Sequence, residues 1–352
     1  FTECGMEEDF PAASRPLKGE EEGSRSSSQD GVPEGSIEAG SSEGQKGLVD
    51  AARASEGAAA SSSLGPSKGK MSAGAMMLGG EAASAAGDAE TAMPGGGGDK
   101  KQSQYDDWDP LKKSGGIGPS TWCIKRIKRD LRTLFADPLP GIFVHVDESD
   151  ITVVHALISG PFDTPYEGGF FYFLLRLPDE YPNVPPKVRL MTTGGGRTRF
   201  NPNLYQCGKV CLSILGTWEG PAWSPSQTLS TVLISIQSLM GPAPYHQEPG
   251  YESEMWPGDS KRYNECIQHE TLRAAVCDMI ESKVVVPPPL THVMRMTFES
   301  LRGLYADVAK AHAHKDGQPL QDPFRANVGT FCYAKLMERI TAIKPLEMLD
   351  EQ

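Results

Sequence analysis

Two thiols, Cys207 and Cys211, lie in a stretch dense in reactive and conformationally special residues. It reads Arg199-Phe-Asn-Pro-Asn-Leu-Tyr-Gln-Cys-Gly-Lys-Val-Cys-Leu-Ser-Ile-Leu215, then Gly216-Thr-Trp-Glu-Gly-Pro-Ala-Trp-Ser-Pro225. A pair of cysteines this close could hold a metal, but zinc sites need a second pair at matching spacing and the chain has none, so metal binding is set aside. The remaining chemistry is nucleophilic, carried by a thiolate. A cysteine hydrolase would need a histidine base and a third group to orient it. His246 is the nearby histidine, and no cysteine-protease signature accompanies it. Cys123 adjoins the apolar stripe of the first expected helix, Cys266 and Cys277 lie on the third, and all three read as small core or near-core groups, while Cys332 has no pattern around it.

A loop of that length in a compact domain is usually functional and needs rigid elements to hold it. Upstream, Ser120 is placed to cap a helix running to about residue 136, with Ile124, Ile127, Leu131 and Leu134 on one stripe. Its other face carries Lys125, Arg126, Lys128, Arg129 and Arg132. That run is either a solvated helix face or a docking surface for an acidic partner. Pro138-Leu-Pro-Gly141 ends the helix. Strand-like runs follow at Ile142–Val146, Thr152–Ser159 and Phe170–Leu177, the last two joined by the turn-rich Gly160-Pro-Phe-Asp-Thr-Pro-Tyr-Glu-Gly-Gly169. A short run at Lys187–Met191 follows the proline cluster Tyr181-Pro-Asn-Val-Pro-Pro186.

Beyond residue 224 the apolar spacing turns helical. Ser226 is placed to cap a helix carrying Leu229, Val232, Leu233, Ile236, Leu239 and Met240. Another helix is expected from Asp259 to about Glu281, with Tyr263, Ile267, Leu272, Val276 and Met279 inward. After Pro287-Pro-Pro289, looser helical patterns cover Met294–Ala311 and Tyr333–Ile343. The plan is α+β: an N-terminal helix, a four-stranded antiparallel meander, then helices, with a helical C-terminal extension.

Charge and composition divide the chain further. Residues 1–100 carry a net −9 of the total −12. The first 105 residues are Gly/Ala/Ser-rich and nearly free of aromatics, so they cannot bury enough apolar area to offset chain entropy and are expected to be a disordered acidic tail. The core is expected over 106–283 and the extension over 284–352. The nearly neutral folded part offers no broad basic footprint for nucleic acid, and no run approaches the ~20 apolar residues of a membrane span. The first residues, Phe1 to Asp9, are acidic with no secretory pattern, and the seven cysteines lack framework spacing. Both features point to a reducing compartment, cytoplasmic or nuclear. The chain opens on Phe1, so a fragment, or a start at Met6 or Met71, is expected.

The core stretch resembles the active-site region of the ubiquitin-conjugating enzymes. Asn203, Cys211 eight residues later, Leu212, Trp-Ser-Pro225 and the following helix match that pattern. The Gly160–Gly169 and Tyr181–Pro186 loops are similar to two further family signatures, in order, so the resemblance covers roughly residues 120 to 281. Gly216-Thr-Trp-Glu-Gly-Pro-Ala-Trp223, Pro244-Tyr-His-Gln-Glu-Pro-Gly250 and the helical tail resemble a long-loop type within the family, a pattern partly shared by its giant members. The resemblance implies the family's conjugating fold, with Cys211 carrying ubiquitin or a ubiquitin-like modifier as a thioester and passing it to lysine. A thioester suits that task because it reacts with amines and hydrolyses slowly. It further implies Asn203 as oxyanion donor or loop brace, with a lost oxyanion donor costing about 2.7–4 kcal/mol, and His246, with Glu248 as alternative, near the attacking lysine. No cofactor or metal is implied. The implied partners are a ubiquitin-activating enzyme docking on the helix bearing Lys125, Arg126, Lys128 and Arg129, ubiquitin ligases and substrate proteins. Where the family usually has histidine before Pro-Asn, this chain has Asn201, which bears on loop geometry. Non-catalytic relatives that only bind ubiquitin lack the cysteine, and Cys211 argues against that alternative.

Overall fold

Ser120 Oγ accepts the backbone N–H of Cys123 at 3.1 Å and starts helix α1, Thr121–Ala136, in the computed structural model, which describes residues 107–112 and 118–345. The acidic tail expected over 1–105 lies outside the described residues. Cys123, Ile127, Leu131 and Leu134 make the buried stripe of α1. Strands β1 (Ile142–Val146), β2 (Val153–Ser159), β3 (Phe170–Arg176) and β4 (Lys187–Leu190) follow as one sheet in the order β1-β2-β3-β4. Every pairing is antiparallel, with Val144 opposite Ala156, Ala156 opposite Phe173, and Leu175 opposite Val188.

The composition of β3 explains the layers. Phe170-Phe-Tyr-Phe-Leu-Leu175 is buried residue after residue, and side chains alternate across a strand, so both faces of the sheet must be covered. Phe171, Phe173 and Leu175 join Val154, Ala156 and Ile158 in a core closed by α1, α2 (Leu229–Ser238) and α3 (Asp259–Glu270). Phe170 and Tyr172, with Leu157, join a second core made with α4 (Pro288–Ala311) and α5 (Tyr333–Ala342). The extension therefore packs on the sheet's opposite face.

Three expectations shift in detail. Helix α2 is capped by Thr228, whose side chain exchanges bonds with Thr231, while Ser226 turns to Ser224 Oγ at 3.0 Å. The helix expected to residue 281 passes through a π-helical stretch, Thr271–Cys277, before a last α-helical turn, Asp278–Ile280. Helix α4 begins at Pro288 rather than Met294, because the first helical turn leaves its N–H groups unused and proline lacks one.

Arg126 corrects the reading of the basic face. It is buried, pairs with Asp130 at 2.9 Å and donates to the carbonyls of Pro225, at 2.7 Å, and Gln227. A guanidinium can reach these separate acceptors at once, so Arg126 fastens the end of the reactive loop to α1 instead of facing solvent. Lys125, Lys128, Arg129 and Arg132 are exposed. No described helix is long and apolar enough to cross a membrane.

One contact seats α4 against the sheet. The Tyr305 hydroxyl, buried, donates to the Gly168 carbonyl at 2.8 Å. Gly168 has φ +68°, and a Cβ there would meet the Tyr305 ring at 2.9 Å, so glycine is required by both backbone and neighbour. Tyr305→Phe removes the donor and leaves a buried carbonyl short of it. The expected loss is about 1–2 kcal/mol, read as a lower urea midpoint at unchanged slope.

Candidate active site

After β4 the chain must double back tightly to form the reactive loop. The Leu190 N–H donates to Gly208 O at 2.8 Å. Gly208 sits at φ +89°, and a Cβ there would lie 2.5 Å from the Leu190 carbonyl oxygen, so only glycine fits. The return places Asn203 against Cys211. The Cys211 N–H donates to Asn203 O at 2.9 Å, and Asn203 Nδ2 donates to the Cys211 carbonyl at 2.9 Å. Thr217 Oγ1 closes the next turn, accepting from Leu212 N–H at 3.0 Å and donating to Val210 O at 2.6 Å. Trp223 anchors the far end, its indole N–H donating to Pro182 O at 2.6 Å.

Asn201, which replaces the expected histidine, is fully buried. Its Nδ2 lies within hydrogen-bond distance of Tyr166 Oη, Leu239 O and Gln247 Oε1, at 3.0, 2.9 and 2.8 Å, and its Oδ1 accepts the Asn203 N–H at 2.8 Å. Tyr166 in turn donates to Phe200 O at 2.8 Å. Asn201 thus ties the reactive loop to the Gly160–Gly169 loop, to the end of α2 and to the 3-10 turn Pro244–Gln247.

The thiol of Cys211 is nearly covered, at 2% exposure. Burial pushes its pKa up, while Lys209, the Tyr205 hydroxyl and Arg199 pull the other way. Tyr205 itself is pushed up to about 12 by burial and by the neighbouring Cys211 charge, so it remains a hydroxyl able to donate to sulfur. The Arg199 guanidinium lies 4.6 Å over the Tyr205 ring, donates to Pro202 O at 2.7 Å and pairs with Glu248 at 3.2 Å. Neither Tyr205 nor Arg199 was singled out by pattern, although both lie inside the stretch the cysteines mark.

His246 stands on the 3-10 turn, exposed. Its Nδ1 is 2.8 Å from Tyr251 O, and its ring meets Tyr245 edge-on at 5.2 Å. None of the described hydrogen bonds joins it to Cys211 or Asn203. Its neighbours do reach the loop, Gln247 through Asn201 and Glu248 through Arg199.

An imidazole meets a thiol elsewhere. Cys332 Sγ is 3.4 Å from His269 Nε2, and His269 Nδ1 is 3.1 Å from Glu270 Oε1. His269 Nε2 also accepts the Cys332 backbone N–H at 3.0 Å. Glu270 takes further donors from Arg273 and Thr198. This buried knot joins α3 to the extension and to the residue before Arg199.

The model of the family described as ubiquitin-conjugating enzyme matches residues 126–271. The chain is 54% identical to ubiquitin-conjugating enzyme E2 Z of Danio rerio over 254 residues, 72% of this chain and 77% of the relative. It is 55% identical to the Homo sapiens protein of that name over 249 residues, 70% of each. Against the Xenopus tropicalis protein of that name it is 55% identical over 238 residues, 67% of this chain and 76% of the relative.

Proposed function

This chain belongs to the ubiquitin-conjugating enzyme family and is an E2 transferase, and from that premise we propose that Cys211 is the thiol that carries the modifier to substrate lysine. The supporting observation is the two-point bond between Cys211 and Asn203 in a loop braced on every side. The Cys211 thiolate attacks the modifier's activated carboxyl carbon and expels the activating enzyme's thiol. A lysine amine then attacks that carbon, the sulfur leaves as thiolate, and the amine gives up a proton. The test mixes the protein with ubiquitin, ATP and an activating enzyme and reads a non-reducing gel. A thiol-labile band, absent in Cys211→Ala, is expected, and its persistence in that variant would sink the assignment.

Asn203 is proposed as the loop brace at rest, because its amide is already engaged on the Cys211 carbonyl. His246 is proposed to take the proton from the incoming lysine. With Nδ1–H donating to the Tyr251 carbonyl, Nε2 is left as the acceptor of the neutral ring. Discharge of preloaded ubiquitin onto free lysine should slow at least about tenfold in His246→Ala, with loading unchanged. Discharge at the wild-type rate would remove His246 from the mechanism.

Family membership brings ubiquitin, activating enzymes and ligases as partners in general. We assign activating-enzyme docking to the exposed Lys125, Lys128 and Arg129, flanked by Trp122 and Phe135, which are 57% and 54% exposed. Residues 106–283 are taken as the conjugating core and 284–352 as the extension. A carrier thiol that must stay reduced suits the cytoplasm or nucleus.

A further inference from the structure

The segment Gln321-Asp-Pro-Phe324 belongs to the extension, yet its aromatic residue joins the main core rather than the second one. Phe324 enters the main core, with its ring 5.3 Å from Tyr245, 5.2 Å from Tyr251 and 4.9 Å from Tyr263. Buried Asp322 folds this segment by accepting the N–H groups of Phe324, at 2.8 Å, and Asn327, at 2.9 Å. It also accepts Asn327 Nδ2 at 2.9 Å. The Asn327 amide is thereby set against one backbone unit of the site. The Arg199 N–H donates to Asn327 Oδ1 at 2.9 Å, and Asn327 Nδ2 donates to Arg199 O at 3.0 Å.

Arg199 is thus held at both backbone groups, while its side chain covers the Tyr205 ring and bonds Pro202 and Glu248. Tyr205 and Arg199 both favour the thiolate of Cys211, and the Pro202 carbonyl that Arg199 holds precedes Asn203, whose Nδ2 donates to the Cys211 carbonyl at 2.9 Å. Covering the sheet needs none of these contacts, because α4 and α5 do that through other residues.

We propose that Asn327, seated by Asp322 and Phe324, is a positioning residue for the transfer reaction, holding Arg199 in its stack on Tyr205 and its bond to Pro202, the residue before the Asn203 that brackets Cys211. The proposal rests on Cys211 as the carrier thiol.

The test uses the full chain. Alkylation of Cys211 by iodoacetamide is followed against pH, peptide by peptide, by mass spectrometry, alongside single-turnover discharge onto free lysine. In Asn327→Ala the alkylation midpoint should rise by about half a pH unit and discharge should slow about tenfold, with a cooperative melt retained. An unchanged midpoint together with unchanged discharge would overturn the proposal. In Asn327→Ala/Tyr205→Phe the midpoint should rise by less than the sum of the two single shifts, and additive shifts would also overturn the proposal. Should Asn327→Ala fail to fold, Arg199→Lys takes its place, since lysine keeps the charge but loses the planar stack and the fork. The same shifts are expected there, and their absence would overturn the proposal equally. A thiol-labile ubiquitin band in Cys211→Ala would instead strike the carrier assignment and leave the alkylation result to judge the clamp.

Discussion

Alkylation of Cys211 by a neutral electrophile is expected to accelerate about tenfold for each pH unit between about pH 6.5 and 8.5, without levelling off. Only the thiolate reacts, and burial of the thiol at 2% exposure holds its pKa above the ordinary value despite Lys209, Tyr205 and Arg199. Below that pKa the thiolate fraction falls tenfold per unit, so the two ends of the range should differ by about a hundredfold. The profile separates two kinds of cysteine enzyme. A thiolate–imidazolium pair of the hydrolase type is already ionised near neutrality and reacts at nearly constant rate across this range. A carrier can rest as the protonated thiol. A flat profile at Cys211 would remove the account given of its surroundings. Site-resolved mass spectrometry is needed because Cys123, Cys266 and Cys277 are also buried thiols with raised pKa values.

Glu270→Ala is expected to cost about 3–5 kcal/mol of stability, because it strands buried partners. Glu270 is 5% exposed and accepts from His269, Arg273 and Thr198. Burial alone would raise its pKa, yet these donors hold it down at about 2. The sign follows from that depression. The contribution is fully present above the unfolded value of about 4.3 and is lost as pH falls toward 2, which amounts to about 3 kcal/mol. Urea midpoints should fall between about pH 4.3 and 2 in the wild type and much less steeply in Glu270→Ala. Equal slopes in the two proteins would refute the role assigned to Glu270.

What the sequence conveys and what it withholds follow from the range of the forces involved. Local signals are legible. Ser120 caps α1, β1 is Ile142–Val146 as its apolar run indicates, and Tyr263, Ile267, Leu272, Val276 and Met279 all point inward. Asn203 and Cys211 meet because a short return with glycine at 208 leaves them little choice. Arg126 could not be separated from its charged neighbours, since the carbonyls that bury it lie 99 and 101 residues away. Asn327 touches Arg199 across 128 residues, and Asn is common enough in loops that nothing marks it. The unbroken apolar run of β3 did carry information. A strand of a one-sided sheet would alternate, so six buried residues in succession already required a second layer.

That second layer has a consequence in time. β3 ends at Arg176, and its outer cover starts only with Leu272 in the π-helical stretch and is completed by α4 and α5. On a ribosome adding about 5–20 residues per second, Phe170 and Tyr172 wait on the order of ten seconds for α4 to be made. During synthesis the sheet is therefore an adhesive surface, open to chaperones and to other nascent chains, and it is fully shielded only when α4 and α5 have been made.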